Sequence, residues 1–427
     1  MRTIVRMPSS GRVTPRLRHA RAAVSAVFLV NAVLYGNLVP RLPEVKDALG
    51  LTNAELGTAI AAMPAGSLLA GLLAPALIQR LGSARVAAFG LVLAAVALVG
   101  VPLAPGWAAF AGLLLVVGVL DALIDVAQNA HGFRVQRAYG RSIVNAFHGV
   151  WSVGAVLGGL LGAAAAGLEV PLVAHLAASG AVFSVVAVVA YRFMLPGPED
   201  AERVAAEAAA VPATAGGPGT GRPRLARAAL VPLAVLGVLA ASGALVEDAG
   251  SSWGALFMRE ENGAGAATAG LAFVALSVAM TVGRLTGDRV VDRFGQRRVA
   301  RVGGVVIAAG MGLALAVPSV GTTLVGFALA GLGTATLVPA VMHTADELPG
   351  LPHGVGLTVV SWLLRVGFLV SPTVVGLVAD AAGLRWALLG VVLAGVVVLV
   401  LGRVLSGAGP AGGAPADRAA ADRASAT

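Results

Sequence analysis

The chain has 427 residues, 58% of them hydrophobic and only 12% charged, with a net charge of +9 and no cysteine. A soluble domain carries about 25% charged residues, so this composition excludes an all-soluble protein and leaves lipid as the natural solvent. The absence of cysteine excludes disulfides, thiolate nucleophiles and Cys-ligated zinc, and the arginines sit between apolar runs rather than on one face, which argues against a nucleic-acid partner.

Residues 1–20, with Arg2, Arg6, Arg12, Arg16 and Arg18, read as a basic cytoplasmic tail without fixed structure. The apolar run after them has no small-residue cleavage site and reads as a retained span rather than a signal peptide. Six apolar segments follow at 21–39, 56–78, 84–103, 107–129, 142–165 and 171–194, together the half 21–194. A polar Ala/Gly/Pro-rich stretch at 195–226 has no period and reads as a cytoplasmic linker. Six more segments, at 227–250, 265–285, 299–317, 321–342, 353–376 and 383–403, make the half 227–404, and 405–427 is a second tail. Each segment is near the roughly 20 residues that cross a bilayer. The predicted fold is therefore an all-α membrane protein with twelve transmembrane helices in two six-helix halves.

Arginine bias orients it. With the N-terminus inside, Arg80, Arg85, Arg134, Arg137, Arg141 and Arg192 are cytoplasmic, as are Arg289, Arg293, Arg297, Arg298 and Arg301. The outer loops keep Arg41, Lys46, Arg259 and Arg385. Both termini are expected in the cytoplasm.

The halves look like two copies of one repeat. At a shift of 213 positions Arg293-Phe294-Gly295 falls on Arg80-Leu81-Gly82, Gly331 on Gly118 and Gly367 on Gly154. The densest charge lies in GRLTGDRVVDRFGQRR, Gly283 to Arg298, read as a short polar loop between two spans. Gly283, Gly287 and Gly295 allow close approach and turning there, while Asp288, Arg289, Asp292, Arg293 and Arg298 form a gating latch. In the first copy Pro75, Ala76 and Gln79 stand at the places of Asp288, Arg289 and Asp292, so Asp288 should have charged or helix-end partners and Pro75 none. Gly154, Gly158 and Gly162 form a small-residue stripe suited to helix packing.

An ionisable group inside a span costs several kcal/mol, roughly, unless it meets a partner or a water-filled cavity. The fourth segment carries Asp121, Asp125, Gln128 and Asn129 at helical spacing on one stripe. Removal from water favours the protonated carboxyl, so Asp121 or Asp125 can carry a proton, or line a polar-substrate wall. The fifth segment carries Asn145, His148, Trp151 and Ser152; His148 suits a proton relay or an interhelical bond. Glu247 and Asp248 end the seventh segment and, being adjacent, point different ways. Trp253 suits either a substrate ring or the interfacial belt. Arg365, beside Trp362, is the only arginine well inside a predicted span; it needs one of the acids Asp121, Asp125, Glu247 or Asp248, or a substrate anion. Asn31, Tyr35 and Asn37 on the first segment suit substrate hydroxyls. No metal site, P-loop, G-x-S-x-G or H-E-x-x-H pattern is present, and neither an enzyme nor a cofactor is expected.

The sequence Gly283–Arg298, with the doubled six-span plan and the central linker, resembles the major facilitator superfamily over about residues 20–404. VPRLPEVKDALGLTNAELGTA (Val39–Ala59), Asp125–Ala155 and Gly82–Ser83 are similar to a bacterial subgroup related to fucose-type sugar permeases. The resemblance implies alternating access around a central cavity lined by the first, fourth, seventh and tenth spans, with acids of the first and fourth serving protons and sugar. Here the fourth span supplies Asp121 or Asp125, but the first has no acid. The expected protein is a monomeric, proton-coupled symporter of a small, polar, sugar-like solute in the bacterial inner membrane. Its alternatives are a drug or metabolite efflux pump of the same fold and a non-transporting membrane receptor or scaffold.

Overall fold

The computed structural model describes residues 14–71, 73–140, 143–197, 227–348, 351 and 355–405. The tail to residue 13, linker residues 198–226 and the tail from 406 lie outside the described residues. Among the described residues eleven helices are long and apolar enough to cross a membrane. In the first half these are Pro15–Leu49, Ser83–Leu103, Trp107–Tyr139, Val144–Gly167 and Leu172–Tyr191. In the second they are Ala229–Asn262, Ala266–Phe294, Gln296–Ala316, Val320–Asp346, Val355–Ala382 and Leu384–Val404. The bent pair Asn53–Ala70 and Ala74–Leu81 makes the remaining span of the first half, so the chain has the twelve-span, two-half plan.

The helices run past the edges that hydropathy marks. The first begins at Pro15, where Thr14 accepts from the Leu17 amide and proline takes the first helical turn, so residues 15–20 are helix and not tail. The second begins at Asn53 behind a Thr52/Glu55 capping box, three residues before its apolar run. The fourth continues to Tyr139 and the eighth to Phe294, each with a charged end. Apolarity ends where water begins, whereas a helix ends where its backbone meets a cap or a glycine.

That difference corrects the reading of Gly283–Arg298 as a loop. The eighth span stays helical to Phe294, and the ninth starts at Gln296. Only Gly295 stands between them, at φ 81° and ψ 149°, and Gly82 makes the same one-residue turn in the first half, at φ 87° and ψ 143°. A side chain would be strained at either, so the 213-position repeat is written in the backbone as well as in the sequence.

Gly118 and Gly331 repeat the correspondence in packing. A Cβ on Gly118 would collide with the Met63 carbonyl, and one on Gly331 with that of Leu276, which is the repeat mate of Met63. Within lipid no hydrophobic effect drives helices together, so such backbone-close crossings hold the bundle through dispersion and shape. The Gly154–Gly158–Gly162 stripe likewise lies against the first span.

The expected latch at Asp288 is not made. Gly283 and Gly287 pack on Ala335 and Thr336, but Asp288, Arg289, Asp292, Arg293 and Arg298 are exposed. Among the described residues Asp288 has no hydrogen-bond or ion-pair partner, Arg293 lies over the Phe294 ring, and Arg297 donates to the Leu405 carbonyl (3.1 Å). Every hydrogen bond and ion pair joining the halves among the described residues lies at the opposite face.

Replacing Gly118 by leucine should force the second and fourth spans apart, at a cost of about 1–3 kcal/mol or more. The melting temperature in detergent should fall clearly, while Gly312→Ala, at a position with open space around it, should leave it within a degree or so. An unchanged melting temperature for Gly118→Leu would contradict this packing.

Candidate functional site

Between the halves lies a cavity of about 390 Å³. Its wall on the first half is a hydrogen-bonded chain through three spans. The Trp151 Nε1–H donates to Asn31 Oδ1 (2.9 Å), and Asn31 Nδ2 donates to Asp121 Oδ1 (3.2 Å). An indole can only donate, so it orients the Asn31 amide with its NH2 toward the carboxyl group. The second Asp121 oxygen is left for a proton or a ligand.

The facing wall is built on the seventh span. Asp248 is buried, accepting from Ser252 Oγ (2.6 Å) and from Ser371 Oγ on the eleventh span (2.7 Å). A π-helical turn, Ala249–Trp253, follows it. Glu247 Oε2 lies 3.6 Å from Arg284 Nη2. The adjacent Glu247 and Asp248 were expected to point apart, yet both line the cavity. Tyr35, on the first span, lines the same cavity as Asp121 and Asp248.

Arg365 lines the cavity too, and among the described residues it makes no hydrogen bond or ion pair. Of the four acids expected to hold it, Glu247 is instead beside Arg284. Arg284 is the second cavity arginine, one residue from position 285, where apolarity ends but the helix continues to Phe294. A signal was present: no turn-forming glycine or proline follows Gly287 before Gly295, so an unbroken helix was the better reading. Ser252 and Ser371 were also missed, as serines are common in spans and carry no charge.

The structure places other expected residues outside the cavity lining. Asn37 donates to the Val33 carbonyl (2.8 Å) and Ser179 Oγ (2.9 Å), and its Oδ1 meets His175 Nε2 (3.0 Å). Asp125 accepts from Asn129 Nδ2 (3.0 Å) and Gln128 Nε2 (3.4 Å). The fourth-span stripe divides because eight residues of helix turn by about 80° beyond two full turns. His148 packs edge-on against Phe28, Asn145 is exposed and Trp362 half exposed. Trp253 joins neither a substrate wall nor an interfacial belt: it is wholly buried, with its ring against Gly57 of the other half.

One face of the cavity is sealed by contacts between the halves. Lys46 Nζ meets Glu260 Oε1 (3.2 Å), and Arg259 Nη2 meets Asp47 Oδ2 (2.7 Å). Asp380 at the end of the eleventh span accepts from the Asn53 and Ala54 amides (2.8 and 2.9 Å), capping the second span from across the interface. The opposite face, with Gly82 and Gly295, has no such bond among the described residues.

The major facilitator superfamily model matches residues 24–256 and 243–425. The chain belongs to the Major Facilitator Superfamily. It is 30% identical over 397 residues to the membrane protein MosC of Rhizobium meliloti, covering 92% of each chain. Its fold is similar to a bacterial homologue of the human lysosomal transporter Spinster, at TM-score 0.71 and 15% identity, over 92% of this chain and 97% of that one. The fucose-type likeness gains no specific support: the structure of the facilitator FucP superposes at TM-score 0.58 and 18% identity, over 92% of this chain and 100% of that one.

Losing a helix cap costs about 1 kcal/mol, roughly a fivefold change in a two-state balance. Asp380→Ala should therefore raise, about fivefold, the rate at which a membrane-impermeant maleimide entering from the sealed face labels a single cysteine at Ser277. The native chain has no cysteine to compete. An unchanged rate would remove Asp380 from the seal.

Proposed function

We propose that this superfamily transporter is a proton-coupled carrier of a small, polar, sugar-like solute, working as a monomer by alternating access. Its membership makes it a membrane transporter of a small solute and not an enzyme. The observation that carries the finer reading is Asp121, presented to the cavity by Asn31 and Trp151 and facing Asp248 across it. A carboxyl with one oxygen fixed by a neutral donor can gain and lose a proton without losing its position. The amide, indole and hydroxyl groups of Asn31, Trp151, Tyr35 and the serines suit a hydroxylated solute.

The arginine bias supports placing the open face in the cytoplasm of a bacterium, with both termini there. Arg80, Arg85, Arg293 and Arg298 lie at that face, while the sealed face carries Lys46 and Arg259. On this reading the structure is inward-open. One observation favours the efflux alternative: much of the lining is apolar, including Met63, Pro64, Phe273, Met280 and Phe368. An amphipathic dye moved outward in preference to any hydroxylated solute would select it.

Purified protein in liposomes should accumulate a hydroxylated solute when a pH gradient is imposed. Asp121→Asn keeps an acceptor oxygen but cannot take a proton. It should reduce gradient-driven uptake at least tenfold while labelled-for-unlabelled exchange persists. Gradient-driven uptake at the wild-type rate in Asp121→Asn would remove Asp121 as the proton carrier.

A further inference from the structure

Among the described residues Arg365 is the one charged side chain of the cavity that makes no hydrogen bond or ion pair. Glu247 stands beside Arg284, Asp248 is held by two serines, and Asp121 accepts from Asn31. Arg365 has no hydrogen bond or ion pair among the described residues, although it lines the same space. Arg365 is exposed here, so water can solvate it. When the open face closes, the guanidinium leaves that water and must find an anion, because an uncompensated charge between spans is strongly unfavourable.

Two anions are available in principle, the Asp121 carboxylate and a group on the solute. Asp121 and Arg365 line the same cavity. The formal charges of the cavity are three acids, Asp121, Glu247 and Asp248, against two arginines, Arg284 and Arg365. A carboxylate solute added alone would deepen the negative excess. Added with one proton on Asp121, it leaves the total unchanged, and the solute carboxylate gives Arg365 its partner. Arg284 is less available because Glu247 stands beside it. The other titratable groups lining the cavity with Asp121 are Tyr35 on the first span and Glu247 and Asp248 on the seventh, and Asp125 lies one turn along its own helix. His148, on the fifth span, packs edge-on against Phe28 and is outside the lining.

We propose that the transported solute is a hydroxylated carboxylic acid whose carboxylate binds Arg365, and that its binding drives one proton onto Asp121, so that acid anion and proton move as an electrically neutral pair. This rests on the carrier reading above and names its substrate class. Binding linkage is reciprocal, so protonation of Asp121 strengthens acid binding as acid binding strengthens protonation.

Matched neutral and acidic probes test it: galactose against galacturonate, glucose against gluconate and glycerol against glycerate. Each is added to detergent-purified protein in weak buffer with a pH indicator, and binding is followed in parallel by thermal stabilisation. At least one acid should stabilise the protein and withdraw about one proton per bound acid, while its neutral partner does neither. Arg365→Gln should weaken acid binding at least tenfold, and Arg365→Lys should retain part of it. Asp121→Asn should still bind the acid but withdraw no proton. In liposomes, uptake of that acid under a pH gradient should carry no current.

Silence from all three acids overturns the proposal, as does stabilisation by a neutral probe that is indifferent to Arg365→Gln, or acid binding without proton uptake. If Arg365→Gln does not fold, Arg365→Lys and Asp121→Asn still decide. Uptake of a neutral solute with an inward current would sink this inference and leave the carrier reading standing. The carrier reading fails separately, through absence of any gradient-driven uptake.

Discussion

Lipid offers neither hydrogen bonds nor counter-charge, so every charge placed between spans must be satisfied by protein, by trapped water or by a ligand. This constraint organises the cavity. Asp121 is held through Asn31 by Trp151, Asp248 by Ser252 and Ser371, and Glu247 lies beside Arg284. Each of these contacts stays within one half. Among the described residues no polar bond crosses the cavity from wall to wall, so the halves can separate or approach there without breaking one. Charge satisfaction inside each half is what lets the interface between them remain changeable.

The two halves share a backbone plan but differ in chemistry where it counts. Gly82 and Gly295 make the same turn, and Gly118 and Gly331 make the same close crossing. Under the same shift Tyr35 is the mate of Asp248, and both line the cavity. Arg284 is the mate of Gly71, which stands where the second span breaks, whereas the eighth span runs unbroken. A straight helix can carry an arginine at cavity depth, and a broken one cannot present the same position in the same way. Duplication supplied the scaffold, and divergence at mated positions supplied the polarity of the site.

Much of this was legible in the sequence. Twelve apolar runs, the arginine bias and the doubled RxG turn determine the fold class, because lipid leaves only helices as an option for such runs. The cavity was legible in part: Asn31, Tyr35, Asp121, Trp151, Glu247, Asp248 and Arg365 were singled out, and the structure gathers all of them in one lining. Asn37, Asp125, Gln128, Asn129 and His148 were singled out by the same reasoning and lie elsewhere. A polar residue in a span reports only that it needs a partner, and a neighbouring helix can supply one as well as a substrate can. Asn37 finds Ser179 and His175, far away in sequence, so no spacing rule could distinguish it from Asn31. Arg284 was hidden by a different error, equating the end of apolarity with the end of a helix.

The seal bears on how such a carrier can turn over. Its ion pairs, Lys46–Glu260 and Arg259–Asp47, are partly exposed, and pairs of that kind contribute about 0–1 kcal/mol each. The Asp380 cap adds about 1 kcal/mol more, and the buried Trp253 contact is apolar and can separate without leaving a charge unpaired. The polar part of the seal is therefore worth only a few kcal/mol, within the range that differential binding of one small ligand can overcome. A seal made of buried, dedicated salt bridges would cost several kcal/mol to break at each partner and would hold the molecule in one state. Keeping the buried Asp248 satisfied within its own half, and placing only partly exposed pairs between the halves, keeps the two conformations close in free energy.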